Sequence, residues 1–437
     1  MYRTAIAVLV VLTSLAPAAE PRDNWPAWRG PTANGVASAS ARPPLRWDEK
    51  TNIKWKAEVP GRGSATPIVW GDQVFVVTGV PTDRVATPAD QPADDPRFPT
   101  KTTRPNRFYR FEVHSFDRDT GKLRWKQVAA EAVPHEGHHP THSYAAGSPT
   151  TDGTRLVVSF GSFGVYAYDL NGKLLWKRDL GRLRTRLGWG EAVTPVLHRD
   201  AVILNWDQEA DARLIVLDAA TGKTRWEVAR DEKSSWNTPF VVEHRGVTQV
   251  IVNGTTRVRS YDLATGKVLW AVGGMTVNAI PSPLAADGVA YVMSGYRGAA
   301  AVAVSLDARG ELDGDKLLWR YDRGTPYVPS PLLFDGRLYF TQANDNVLTI
   351  LDARTGKELA RGVRLTPLRT LYASPMAAAG RIYFVDRAGT TVVLAAGPDA
   401  RVRAVNRLPE GVDASPVAVG KTLFLRGEKH LYAIEER

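Results

Sequence analysis

Four of the chain's eight histidines, His135, His138, His139 and His142, lie close together in Pro134-His135-Glu136-Gly137-His138-His139-Pro140-Thr141-His142. Imidazole is a frequent ligand of zinc and copper, and these spacings could bring two or three rings together on a loop. The order His-Glu-x-His-His departs from the helical His-Glu-x-x-His motif, and the flanking prolines oppose a helix. The stretch therefore reads either as a metal site or as a polar insertion covering one face of the fold. A second group recurs just ahead of a Ser/Thr-Pro dipeptide: Tyr144, Trp189, Trp236, Asn278, Tyr327, Tyr372 and Asp413. Converging rings with a few polar groups would stack a flat or sugar-like ligand; the same rings could instead pack against one another. The run Asn205-Trp206-Asp207-Gln208-Glu209 offers oxygens for a cation or an ordinary turn. Arg257 and Arg297 are weaker candidates for pairing with an anion.

What must position these residues is a repeat. Ser/Thr-Pro occurs at Thr66-Pro67, Ser148-Pro149, Thr194-Pro195, Thr238-Pro239, Ser282-Pro283, Ser330-Pro331, Ser374-Pro375 and Ser415-Pro416, with successive prolines 82, 46, 44, 44, 48, 44 and 41 residues apart. A period in this range marks stacked supersecondary units. Proline lacks a donor N–H and is tolerated at a strand's first residue, and apolar runs such as Leu332-Leu333-Phe334 follow. A second signature, Asp-x-x-Thr-Gly-Lys-x-x-Trp, runs from Asp117 to Trp125, Asp218 to Trp226 and Asp262 to Trp270, and is one residue shorter from Asp169 to Trp176. Asp307 reaches Trp319 through a four-residue expansion, and Asp352-Ala353-Arg354-Thr355-Gly356-Lys357 has Ala360 where tryptophan is due. Asp accepts backbone hydrogen bonds in a tight turn and Gly supplies a positive φ, so the signature reads as a hairpin between a unit's last two strands. The tryptophan is then expected between neighbouring units.

With 437 residues, 43% apolar content and strand-like runs between turn signals, the chain reads as all-β. Met1 to Leu15 followed by Ala16-Pro17-Ala18 has the pattern of a cleaved secretory signal, residues 1–18, which predicts a periplasmic or secreted protein. Residues 19–51 form an extension, opening with Asn24-Trp25-Pro26-Ala27-Trp28-Arg29-Gly30-Pro31, that should pack across one face. Cysteine is absent, which excludes disulfides, thiolate chemistry and a lipidated N-terminal cysteine. The formal charge of +10 is spread over Arg-rich loops such as Lys177 to Arg186 with no nucleic-acid fold signature beside it.

Trp55 looks like a last-strand tryptophan arriving without its own preceding strands, while Ser415-Pro416 to Arg437 supplies strands but stops before a tryptophan. Residues near 52 to 58 should therefore complete the unit begun at 415 and close a ring. The expected fold is an eight-bladed β-propeller of four-stranded antiparallel blades over residues 52–437. The 82-residue interval holds only one copy of the second signature and is read as one blade with insertions at about 80–107 and 129–143.

Eight units of Ser/Thr-Pro, apolar strands and Asp-x-x-Thr-Gly-Lys-x-x-Trp, with closure by the N-terminus, resemble the pyrroloquinoline-quinone (PQQ) repeat propellers. These include quinoprotein alcohol dehydrogenases and BamB-type outer-membrane assembly proteins. Trp-Pro-x-Trp-Arg-Gly-Pro resembles an exported bacterial subgroup of that family with no established activity. For quinoprotein members the resemblance implies PQQ and calcium in a central funnel, with an Asp base and a Trp floor for which Trp189 or Trp236 would stand. The family's Glu, Asn and Asp set is not matched here residue by residue, and the adjacent cysteines of several members are missing. The reading is a non-enzymatic binding or scaffolding module of the cell envelope, monomeric, with a protein, peptide or glycan partner. The alternative is a PQQ- or metal-dependent oxidoreductase with its site in the channel.

Overall fold

The computed structural model describes residues 23–91, 93 and 95–436; the segment 1–18, expected to be a signal peptide, lies outside them. Eight antiparallel sheets follow one another along the chain. The third blade is typical: Val196–His198, Ala201–Trp206, Arg213–Asp218 and Thr224–Ala229 run outward from the channel, each antiparallel to the next. Among the described residues no helix is long and apolar enough to cross a membrane.

The ring closes as the sequence predicts. Ile53–Glu58 is the outermost strand of the eighth blade and pairs antiparallel with His430–Ile434, Lys56 opposite Tyr432 and Glu58 opposite His430. Burial lies between blades: one cluster joins Val157, Ala167 and Trp176 of the second blade to Val202, Leu204 and Ile215 of the third. Another joins Leu423, Phe424 and Tyr432 of the eighth blade to Val74, Val76 and Phe116 of the first. Pleated strands show alternate side chains to opposite faces, so a strand sandwiched between two blades is apolar on both.

Two polar devices repeat around this core. The tryptophan of one blade lies on the glycine of the next blade's Asp-x-x-Thr-Gly-Lys turn. A Cβ on Gly121, Gly222 or Gly356 would come within 2.7–2.8 Å of Trp55, Trp176 or Trp319. The indole Nε1 groups of Trp55, Trp125, Trp176, Trp226 and Trp319 donate to the carbonyls of Arg118, Leu170, Ala219, Leu263 and Ala353 at 2.9–3.0 Å. In the turn itself the Asp218 carboxylate accepts from the amides of Ala220 and Thr221 and from the Thr221 hydroxyl. The second device is in the Ser/Thr-Pro dipeptides. The amide of Thr66 donates to Ser148 Oγ, Ser148 to Thr194, Thr238 to Ser282, Ser282 to Ser330, Ser330 to Ser374, Ser374 to Ser415, and Ser415 back to Thr66, all at 2.8–3.1 Å. The dipeptide thus does more than start a strand: at seven of the eight junctions, all but that between the third and fourth blades, its hydroxyl clasps a blade to the one before.

One blade departs from the expected four strands. The expansion after Asp307 makes a fifth strand, Gly310–Leu312, that joins the outer edge of the fourth blade in parallel, Trp270 opposite Gly310. With its neighbour's turn displaced, Trp270 turns to its own sheet and donates to Gln249 Oε1.

The residues ahead of the Ser/Thr-Pro dipeptides and the loops between second and third strands share what is called here the upper face, with both insertions. The second strand of the first blade continues to Val85 and the third begins at Arg107, so the first insertion is partly a long hairpin. Its tip reaches sideways, Lys101 donating to Leu187 O and Thr102 Oγ1 to Gly188 O. The 23–51 segment crosses the lower face through backbone bonds such as Ala377 N to Gly35 O and Arg42 N to Gly420 O.

Candidate functional site

On the upper face the channel opens as a funnel of about 360 Å³. Trp189, Trp236, Tyr327, Tyr372 and Asp413 line it as expected, on five of six successive inter-blade connections; on the remaining one, between the fourth and fifth blades, Ile280 takes part. Below them lie Thr66, Ser148, Thr194, Thr238, Ser374 and Ser415 of the hydroxyl ring. Tyr144 and Asn278 are not in the lining. Tyr144 sits under the second insertion, edge-on to Tyr109 and His138, its hydroxyl donating to Glu136 O. Asn278, at φ 55°, is buried behind the wall, and neither of its amide atoms makes a hydrogen bond of normal geometry.

Three lining groups were not expected at the channel. Tyr296 follows the second strand of the fifth blade and stacks on Tyr327 at 4.6 Å between ring centres. The signal was available, since loops between second and third strands also end at the channel. Thr141 bridges to the opposite wall, its hydroxyl 2.9 Å from the Tyr372 hydroxyl. Trp28 enters from the lower face. The described part of the extension, residues 23–51, therefore does not merely cross that face; it inserts into the channel and floors the funnel. Arg29 behind it is buried and donates to Pro331 O, Pro375 O and Asn34 O. Burial lowers its guanidinium to about 9, with no carboxylate beside it among the described residues.

The four histidines do not converge on a metal. His135 and His142 each place Nε2 at a carbonyl of the second blade's connection, Leu183 O at 2.8 Å and Glu191 O at 3.0 Å. His138 uses Nδ1 on His139 O, and His139 uses Nδ1 on the Thr141 hydroxyl. Among the described residues no group of three or more His, Asp or Glu is arranged to hold a metal ion. Instead the stretch is a packed insertion: His139 and His142 touch the funnel, whereas His135 and Glu136 are sealed beneath with Glu191. Burial holds His135 and His142 at about 4 and pushes Glu191 up to about 8, despite two hydrogen bonds from Ser162. These groups are neutral near pH 7, the inexpensive state for titratable groups away from water.

The acidic run of the third blade is likewise no cation site. Asp207 and Arg230 are fully buried and form a two-point ion pair, Nε to Oδ1 at 2.7 Å, with Ser235 Oγ donating to Asp207 Oδ2. Arg257 pairs with Glu311 at the outer edge, and Arg297 is exposed with its guanidinium carbon 5.3 Å from the Tyr296 ring centre. Neither lies in the funnel lining.

A family model described as outer membrane protein assembly factor BamB matches residues 109–273 and 210–437, more than half of the chain. The chain belongs to that family of PQQ-like propellers. Among solved structures it is similar to BamB from Moraxella catarrhalis, at 13% identity and a TM-score of 0.55, covering 82% of this chain and 98% of that one. It is also similar to quinohemoprotein alcohol dehydrogenase from Comamonas testosteroni, at 12% identity and a TM-score of 0.62, covering 96% and 81%. The computationally designed Ika8 protein matches at 13% identity and a TM-score of 0.50, covering 86% and 100%. At these identities the likeness is one of fold. A search of curated proteins finds no match.

The PQQ-like family raises the question whether this funnel fits PQQ with calcium. Calcium takes six to eight oxygen ligands. The funnel lining offers one carboxylate, Asp413, and both of its oxygens are held by Arg387, Nε to Oδ1 at 2.6 Å and Nη2 to Oδ2 at 3.1 Å. With no further acidic group in the lining, the residues present do not fit a calcium-bound quinone.

Proposed function

We propose that the protein is an exported binding module of the cell envelope, which holds a ring-bearing ligand in the upper funnel and carries out no chemistry on it. The observation that carries this reading is the funnel wall: Trp189, Trp236, Tyr296, Tyr327 and Tyr372 surround a cavity floored by Trp28, and its one carboxylate is neutralised by Arg387. Aromatic faces stack sugars and flat rings, and with Asp413 held by Arg387 the lining offers no free carboxylate, which supports binding. The BamB-type family model supports an envelope setting and a role in interaction with other molecules.

The test is an array of neutral and acidic envelope glycans and aromatic metabolites, probed with the mature protein and with Trp236→Ala. Binding that falls in the variant supports the reading. An array without hits, or hits indifferent to Trp236, removes the funnel as the site and turns the search to outer surfaces.

A further inference from the structure

Resting on the funnel reading above, we propose that the ligand is an organic anion, a sugar or aromatic ring bearing one acidic group, whose acid sits against the hydroxyl ring above Arg29. Three independent features of the floor point the same way.

The first is an unused set of donors. Seven of the eight Ser/Thr Oγ atoms in the ring, all but that of Thr238, accept an amide hydrogen from the neighbouring blade, and a hydroxyl has one donor besides its two acceptor sites. Among the described residues none of Thr66, Ser148, Ser374 or Ser415 passes that hydrogen to a protein acceptor, and all four line the funnel. Hydroxyls grouped around the channel axis can thus turn their O–H groups toward an oxyanion, and hydrogen bonds to a charged acceptor are the strong ones.

The second is an uncompensated charge. Arg29 is 3% exposed, and among the described residues its side chain has only backbone carbonyls as partners and its Nε has none. Two of those carbonyls belong to Pro331 and Pro375, each one residue past a ring hydroxyl, so the guanidinium lies directly under the ring on that side. Its carbon is 6.0 Å from the centre of the Trp28 ring, which is itself in the lining. A buried charge without a counter-charge is costly, and an anion bound above the floor would supply one.

The third is the lack of a competitor. Asp413, the only carboxylate of the lining, is already paired with Arg387, so the funnel presents no free negative charge to repel an acid.

The experiment is a calorimetric titration of the mature protein with two matched pairs: p-hydroxybenzoate against p-hydroxybenzamide, and D-glucuronate against D-glucose. The acid of at least one pair should bind about tenfold tighter than its neutral partner. The pair that shows the preference identifies the ring class. Arg29→Gln should abolish the preference, the acid losing about tenfold more affinity than its neutral partner. Added salt should weaken only the acid in the wild-type protein, which keeps the test open if the variant folds poorly. Equal affinities within both pairs, or a preference that survives Arg29→Gln, would overturn the anion assignment and leave the funnel reading standing. Failure of all four compounds to bind would count against both.

Discussion

Replacing Trp55 by alanine tests whether the ring is held at its seam by the same contact that joins its other blades. Trp55 is 9% exposed, lies on Gly121 of the first blade, donates from Nε1 to Arg118 O and packs against Phe424 at 5.9 Å. Truncating a buried tryptophan to alanine costs about 3–5 kcal/mol, of which roughly 1 kcal/mol belongs to the indole hydrogen bond. Against the roughly 5–15 kcal/mol that holds a folded domain together, this is a large share. Trp226→Ala, at the covalently continuous junction between the third and fourth blades, is the control, since Trp226 donates to Leu263 O in the same way. Urea unfolding followed by circular dichroism and by fluorescence should show both variants destabilised by similar amounts, with the two probes moving together. A loss below about 1 kcal/mol for Trp55→Ala would refute the reasoning. So would a separate early transition for the eighth blade.

Further outcomes follow from the same geometry. Ser374→Ala removes the acceptor of the Ser330 amide and should cost about 1–3 kcal/mol in the same unfolding assay, because a buried N–H is left without a partner. Asp207→Ala leaves Arg230 buried without its counter-charge and should cost about 3–5 kcal/mol, while calcium should leave the wild-type melting temperature unchanged. Glu191 is held at about 8 when folded against an ordinary 4.5, so its contribution is full below pH 4.5 and is lost as pH rises through 8. Wild-type stability should therefore fall by roughly 1 kcal/mol per pH unit across that window relative to Glu191→Gln. His135 and His142, held at about 4, act in the opposite sense: their contribution is full above pH 6.5 and is lost as pH falls toward 4.

Fold and ring order were legible because their signals are local and repeated. Proline ahead of an apolar run, and Asp and Gly at fixed positions in a turn, each act within a few residues, and eight copies of the first and six of the second reinforce one another. Even Trp55 could be placed, since a lone last-strand tryptophan has only one vacancy to fill. The funnel was legible in part: residues ahead of each dipeptide must approach the axis, which placed Trp189, Trp236, Tyr327, Tyr372 and Asp413 correctly. Periodicity does not carry which side chain of a connecting loop turns inward, so Tyr144 and Asn278 were assigned to a wall they stand behind. Trp28 reaches the channel through contacts with residues some three hundred positions away, such as those of Arg29 with Pro331 and Pro375, and no local pattern encodes them. The histidines and Asp207 illustrate a different limit: spacing shows which ligands could gather, but backbone carbonyls and a buried arginine had already taken them.

The most direct measurement is a calorimetric titration of PQQ into the mature protein, first with calcium and then with calcium chelated. A binding module with this funnel predicts no calcium-dependent binding, because Asp413 is occupied by Arg387 and no other carboxylate lines the cavity. Calcium-dependent binding that is lost in Trp236→Ala would contradict the account and make the protein a quinoprotein oxidoreductase.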